Sequence, residues 1–419
     1  MSTRLTRREI LARGLGAAGL LAGGLPSAWA AQQPGRRRAR PDQSDKAPSL
    51  PVAVQRCESY ERQLLRRKLD EALDLIGGIK KLVAGKTVTV KLNITGGQAG
   101  KLGGREPYQT YHCHPKMVAA TCAAFADAGA SRIILVEGNY TRKPPEEFYA
   151  SLGWDVQEIQ SAGAGRVRFV DTRNRGPFTR YSRLKVPGGG FVFPAFDLNQ
   201  AYEKTDVFVS LAKMKDHGCA GVTMAVKNLF GIAPQSLYGD DAPNEDTTTA
   251  RNQLFHFGRR KVPAGVPREE DHGIPEGSWQ HRVPGITADL FMARPCDLAI
   301  IDGIETNRGG EGPWIKGVEP VEPKLILVGR NGVSTDAICT AVMGYDPQAD
   351  HNQFPFQGDN HLKLLASAGV GAIDPKRIEV RGLALQKAIF PFNPKREEVK
   401  HPLSYFHWDC ARQREQAMG

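Results

Sequence analysis

Between Ala212 and Gly231 the chain reads AKMKDHGCAGVTMAVKNLFG, with three lysines, a histidine and a cysteine set among small and apolar residues. Such a stretch is too apolar for a solvated face and too charged for plain core. Its ammonium groups therefore need buried counter-charges or an anionic ligand. Lys213 and Lys215 alternate along an extended segment and point to the same side, toward a helix expected to begin near Ala220. Gly218 and Gly221 permit close backbone approach, the helix N-terminus would add partial positive charge, and Thr223 and Lys227 share a helix face. Together these residues make a candidate anion site. The structural alternative pairs the same lysines with Asp206, Asp216, Asp302 or Glu305. The pattern G-x-x-x-x-G-K-[ST] is absent, so this is no Walker loop.

The second constellation is YHCHP, where His112 and His114 alternate and project to one side. An H-x-H pair can supply two metal ligands if a further donor arrives from elsewhere, and Glu137, His217 and Asp302 are candidates for it. His114, standing just before Pro115, equally fits a helix cap. For proton transfer the candidates are His217 and His114, with Asp302 or Glu305 as base or metal ligand. Glu305 opens ETNRGGEGPW, which reads as a site-closing loop. Seven cysteines without C-x2-C spacing give no zinc-ribbon or ferredoxin signature. Cys219, near the expected helix N-terminus, would have its thiol pKa lowered there; an inert buried thiol is the alternative.

These residues must be positioned by elements, and the elements read as strand and helix in alternation. KTVTVKLNI, SRIILVEGN, TDVFVSLA, DLAIIDGIE and KLILVG have the Val, Ile and Leu content of buried parallel strands. YERQLLRRKLDEALDLIGGI, HPKMVAATCAAFADAGA, AGVTMAVKNLFG, GVSTDAICTAVMG and NHLKLLASAGVG read as helices. This grammar predicts an α/β fold with a mostly parallel, doubly wound sheet and helices on both faces. Ligands of such sheets bind beyond the carboxyl ends of the strands. Lys91 and Asn93, Glu137, Lys213 and Lys215, and Asp302 and Glu305 all fall at strand ends, while Asp336 opens a helix and Asn228 sits beside Lys227. Residues 51–382 are expected to form the domain, with a long insertion at 238–285 and a C-terminal extension over 383–419.

The N-terminus addresses the chain. TRREIL, carrying Arg7 and Arg8, precedes a glycine-rich apolar run and SAWA, which ends on Ala28 and Ala30. This is the pattern of a twin-arginine export signal over residues 1–30, followed by a basic flexible linker at 31–50. The expected partner is the twin-arginine translocase, and the expected location is periplasmic or extracellular, with no stable membrane span in the mature chain. The net charge is +11, of which the signal contributes four arginines against Glu9. The remaining excess is concentrated partly in the linker, and no basic cluster is interleaved with aromatics, so nucleic acid is not an expected partner.

The stretches VKLNIT, LVEG, KMKDHGCAGVTMAVKNLFG, DGIE and TDAICTAVMGYDP resemble the bacterial domain-of-unknown-function family 362 from about Thr87 to Gly382. The resemblance implies an α/β domain whose relatives are sometimes joined to ferredoxin-type modules. It marks Lys91, His114, Lys213, Lys215, His217, Lys227, Asn228 and Asp336 as motif positions, without roles. The C-x2-C-x2-C-x3-C run of cluster-bearing relatives is absent here, so the cofactor expectation stays open between none, a metal ion and an iron–sulfur cluster. The functional expectation is an exported enzyme acting on an anionic small molecule, carboxylate or phosphate-like, in a Lys/His-lined cleft. The alternative is a non-catalytic solute-binding or redox-complex partner protein.

Overall fold

The structure, a computed structural model, describes residues 40–96, 100–173, 180–244, 246 and 249–393. Arg7, Arg8, Ala28 and Ala30, the start of the linker and the distal part of the C-terminal extension lie outside the described residues. The main path of the sheet comprises β1 (Val52–Arg56), β2 (Thr87–Lys91), β3 (Arg132–Glu137), β4 (Val167–Asp171), β5 (Val207–His217), β6 (Leu298–Arg308), β7 (Leu325–Gly329) and β8 (Val380–Gly382). Their spatial order is β8-β1-β7-β6-β5-β2-β3-β4. Only β7 runs against the others. The reason is local: no helix intervenes between β6 and β7, so the chain folds back and the two strands pair antiparallel. The link itself pairs with the end of β6 through Glu319–Val321.

Strand alternation sends each strand into two cores. Val88, Val90, Ile133, Leu135, Val207 and Val209 join one cluster, built with α1 (Arg62–Leu75) and α2 (Pro115–Asp127). Ile134, Val136, Phe208, Ala212, Ala299 and Ile301 join the other, with α3 (Met224–Asn228), α4 (Trp279–Ala293), α5 (Gly332–Val342) and α6 (His361–Ser367). Both sheet faces are covered, which is why the strands are apolar throughout rather than alternating with polar residues. The fold is the expected α/β arrangement.

Three readings change. Val52–Arg56, for which no strand is read from the sequence, is a strand inside the sheet between β7 and β8. The stretch from Ala220 to Gly231 is not one helix: Gly221 and Val222 fold back onto β5, α3 starts only at Met224, and a 3-10 turn follows. Finally, the 238–285 insertion is shorter than expected, because α4 begins at Trp279 and carries Pro284 inside it. Proline and glycine hid this helix from its periodicity. No helix among the described residues is long and apolar enough to cross a membrane.

Phe125 is fully buried on α2 in the first core. Phe125→Ala should lower unfolding free energy by about 3–5 kcal/mol through lost burial and a residual cavity, measured by denaturant titration.

Candidate functional site

The carboxyl ends of the parallel strands do carry charge, but most of it is matched internally. Lys91 ends β2 and its ammonium lies 2.7 Å from Glu137 Oε1 at the end of β3, with both side chains almost wholly buried. The same ammonium donates to the Leu92 carbonyl at 2.7 Å. Burial pushes Lys91 down and Glu137 up from their ordinary pKa values, and the charge of each opposes the other's shift. Asn228 reaches Lys91 and donates to Ser210 Oγ at 3.0 Å, tying α3 to the sheet.

Lys213 on β5 is paired in the same way. Its ammonium lies 2.9 Å from Asp302 Oδ2 on β6, and both side chains are inaccessible. Asp302 also accepts from Tyr60 OH at 2.6 Å, His114 N at 3.2 Å and Ile304 N at 3.3 Å. Four donors occupy the four lone-pair directions of one carboxylate, which leaves none to act as a base or to hold a metal. His114 caps α2, accepting from Lys116 N through Nδ1 at 3.1 Å, and its ring stacks on Tyr60 at 3.6 Å. Burial and the nearby lysines hold it neutral. Glu305 donates its backbone N–H to Tyr60 OH at 3.4 Å, and its buried Oε2 has no hydrogen-bonding partner. Asn93 accepts from Lys213 N at 3.2 Å and so braces the strand.

The metal set expected from YHCHP is not assembled among the described residues. His112 Nε2 bonds the Thr95 carbonyl at 2.7 Å, His114 is spent on the cap and Glu137 on Lys91. The grouping of three potential ligands that the described residues do form lies elsewhere, on α4 and the loop before α6.

The helix N-terminus offered to an anion is also occupied. Asp336, the fifth residue of α5, accepts from Ala225 N at 2.9 Å and Val226 N at 2.7 Å, the opening amides of α3. The buried carboxyl, pushed up to about 8 by desolvation, takes the position expected for a ligand. Asp336 thus caps the short helix α3. Thr223, just before α3, keeps a buried Oγ1 without a hydrogen-bonding partner. Burial pushes the Cys219 thiol up, not down.

What remains is a pair of cations without carboxylates. Lys215 is fully buried and donates to the Tyr111 carbonyl at 2.6 Å and the Glu311 carbonyl at 3.3 Å. Lys227 is nearly buried, and its ammonium stands 3.9 Å from the centre of the Phe230 ring. Neither has an ion-pair partner within 4.0 Å among the described residues. Burial is the main cause that pushes Lys215 down to about 7 and Lys227 down to about 8.

Around them stand His217, His256 and His361, all held neutral by burial and by Lys227. His217 Nδ1 accepts from Cys219 N at 3.2 Å, so the proton of its neutral ring sits on Nε2. The nearby carboxylate is Glu311, which accepts from Gly218 N at 2.9 Å and Trp314 Nε1 at 3.2 Å and lies 3.8 Å from His217 Nδ1. It comes from the ETNRGGEGPW loop. His256, His361, Glu311 and Phe230 were not singled out from the sequence. His256 lies in a segment without period and His361 in an ordinary helix start, so only the glycine-rich loop that carries Glu311 gave a signal.

Breaking the Lys213–Asp302 pair by Lys213→Met should cost about 3–5 kcal/mol, because Asp302 is then buried unpaired. The double replacement Lys213→Met with Asp302→Leu should recover most of that loss in a denaturation cycle, as expected of a structural pair.

A thylakoid-associated protein of Synechocystis sp. is 25% identical over 315 residues, covering 71% of this chain and 75% of its own. A solved Thermotoga maritima protein overlaps at 12% identity and TM-score 0.36, covering 68% of this chain and 59% of its own. The lactate racemase apoprotein of Thermoanaerobacterium thermosaccharolyticum overlaps at 16% identity and TM-score 0.30, covering 66% and 55%. The chain thus spans little more than half the length of those solved structures, and likenesses at that level say nothing about chemistry. The family model for the domain of unknown function 362 matches residues 88–341, a span that runs from β2 through the Lys215–Lys227 cluster to α5, and the chain belongs to that family.

Proposed function

We propose that the chain is an exported protein that binds an anionic small molecule, carboxylate or phosphate-like, between Lys215 and Lys227, and acts on it as an enzyme. The observation that carries this reading is the charge imbalance: two buried ammonium groups share only the flanking influence of Glu311, whose own oxygens are bonded to Gly218 and Trp314. An uncompensated buried charge is unfavourable, and a bound anion supplies the missing partner. Lys91 and Lys213, which the sequence placed beside them, contribute position rather than charge. Asp302 likewise supports the site from behind.

In this reading His217 is the proton carrier. Its Nε2–H can donate to a ligand oxygen, while Nδ1 is fixed by the Cys219 amide. Lys215 and Lys227 titrate near neutrality, so either can hold or release a proton beside the bound anion. Water excluded by Phe230, Phe356 and Trp314 strengthens every one of these interactions. The twin-arginine signal supplies the address, periplasmic or extracellular.

A thermal-shift panel of carboxylates and phosphate esters on the mature chain tests the site. A ligand present at a hundred times its Kd should stabilise the protein by about 2.7 kcal/mol. Lys215→Met and Lys227→Met should each abolish the shift while retaining the fold, since each replacement removes a buried unpaired charge. Equal shifts in both variants and the parent would place the ligand elsewhere.

The sign of the pH dependence follows from the depressed lysines. Free Lys215 and Lys227 are charged in the folded state only below about 7 and about 8. Anion binding requires the charged form, so affinity should be full near pH 6 and fall as pH rises through 7 to 9. The same shifts make the unliganded fold lose stability as pH falls from the ordinary lysine value of 10.5 down to about 7 and about 8, because the unfolded lysines take up protons first. Binding calorimetry across pH 6 to 9 reads the first effect, and unfolding of the free protein between pH 7 and 10.5 reads the second.

A further inference from the structure

Away from the lysine cluster, we propose that His281, His351 and Asp359 bind one divalent transition-metal ion of the imidazole-preferring class, zinc, cobalt or nickel, which clips the loop before α6 onto α4. His281 Nδ1 lies 2.9 Å from Asp359 Oδ2, and His351 Nδ1 lies 2.9 Å from Asp359 Oδ1. The three ligand atoms all lie within 4.8 Å of one another. Donors about 2.1 Å from an ion and at right angles to each other are separated by about 3.0 Å, so both short edges already have coordination dimensions. Two imidazoles with one carboxylate form a donor set that suits such ions and leaves positions open for solvent or a further ligand. The two rings are stacked, with centroids 5.0 Å apart and planes 15° from parallel.

The backbone holds this cluster independently of the side chains. Pro284 has no N–H, so α4 cannot close the hydrogen bond that would run back to the Gln280 carbonyl. That carbonyl accepts instead from Asp359 N at 2.8 Å. A Cβ on the preceding Gly358 would sit 2.3 Å from the same oxygen, so only glycine lets the loop lie this close to the first turn of α4. Asp359 is thereby set beside His281, the neighbour of Gln280. Asn360 caps α6 through its Oδ1, and its Nδ2 donates to the Pro347 and Ala349 carbonyls at 2.8 and 3.0 Å, which gathers the turn that carries His351.

Each ligand thus stands on a separately anchored piece of chain, and the described parts converge without help from an ion. His351 is about one-third exposed, which leaves an entry path. The loop that the ion would clip also carries Phe356, whose ring fills the space over Gly221 and meets the His361 ring edge-on at 6.0 Å.

The test is to strip the purified mature chain with a chelator and titrate it with Co(II), following the visible ligand-field bands, and with Zn(II) by calorimetry. One equivalent should bind and raise the thermal midpoint. His351→Ala, at an exposed position that the fold does not need, and Asp359→Asn should each weaken binding by at least about 100-fold and lose the bands. His217→Ala, in the lysine cluster, should keep them. Failure of the parent chain to bind either ion would overturn the proposal, as would bands that survive in the His281→Ala, His351→Ala double variant.

Discussion

An ammonium group taken out of water costs on the order of several kcal/mol unless a counter-charge goes with it, and this sheet buries four of them near the carboxyl ends of its strands. Two of the four carry their own solution. Lys91 meets Glu137 across β2 and β3, and Lys213 meets Asp302 across β5 and β6, in each case between neighbouring parallel strands. These pairs fix the ends of the strands relative to one another. They also create the frame in which the last two lysines stand without partners.

That frame explains the state of everything around Lys215 and Lys227. With the carboxylates at the strand ends already committed, the local field is positive, and burial adds to it. The lysines respond by giving up charge near neutral pH, and the three histidines by staying neutral. Asp336 belongs to the same balance. It is buried behind α3 and accepts from the two opening amides of that helix.

How much of this was legible depended on which interaction set each feature. The sheet and its helices were readable, because runs such as TVTVK and RIILVE are apolar at every position only when both faces are covered. The grouping of charge at the strand ends was readable too, since alternation and strand polarity are local properties. Which lysine finds which carboxylate was not. Asp302 lies 89 residues from Lys213 and Glu137 lies 46 from Lys91, so both pairings are decided by strand order, which no local pattern records. Asp336 illustrates the same limit: its residue type suggested a contact to ligand, while its place behind a short helix made it a cap. His256 and His361 reach the cluster through the packing of α6 and of a segment without period, and carry no signal of their own.

Pro284 shows how one residue type that defeats sequence reading can do structural work at a distance. It interrupts the helical pattern and so hid the start of α4, yet the hydrogen bond it removes leaves the Gln280 carbonyl free for the backbone of the loop before α6. The loop that docks there supplies Phe356 over Gly221, at the fold-back where β5 hands its lysine-histidine segment to α3, and continues directly into His361 beside Lys227. The wall of the lysine cluster is therefore held from two sides, by ion pairs under the sheet ends and by a helix carbonyl that Pro284 leaves without its helical partner.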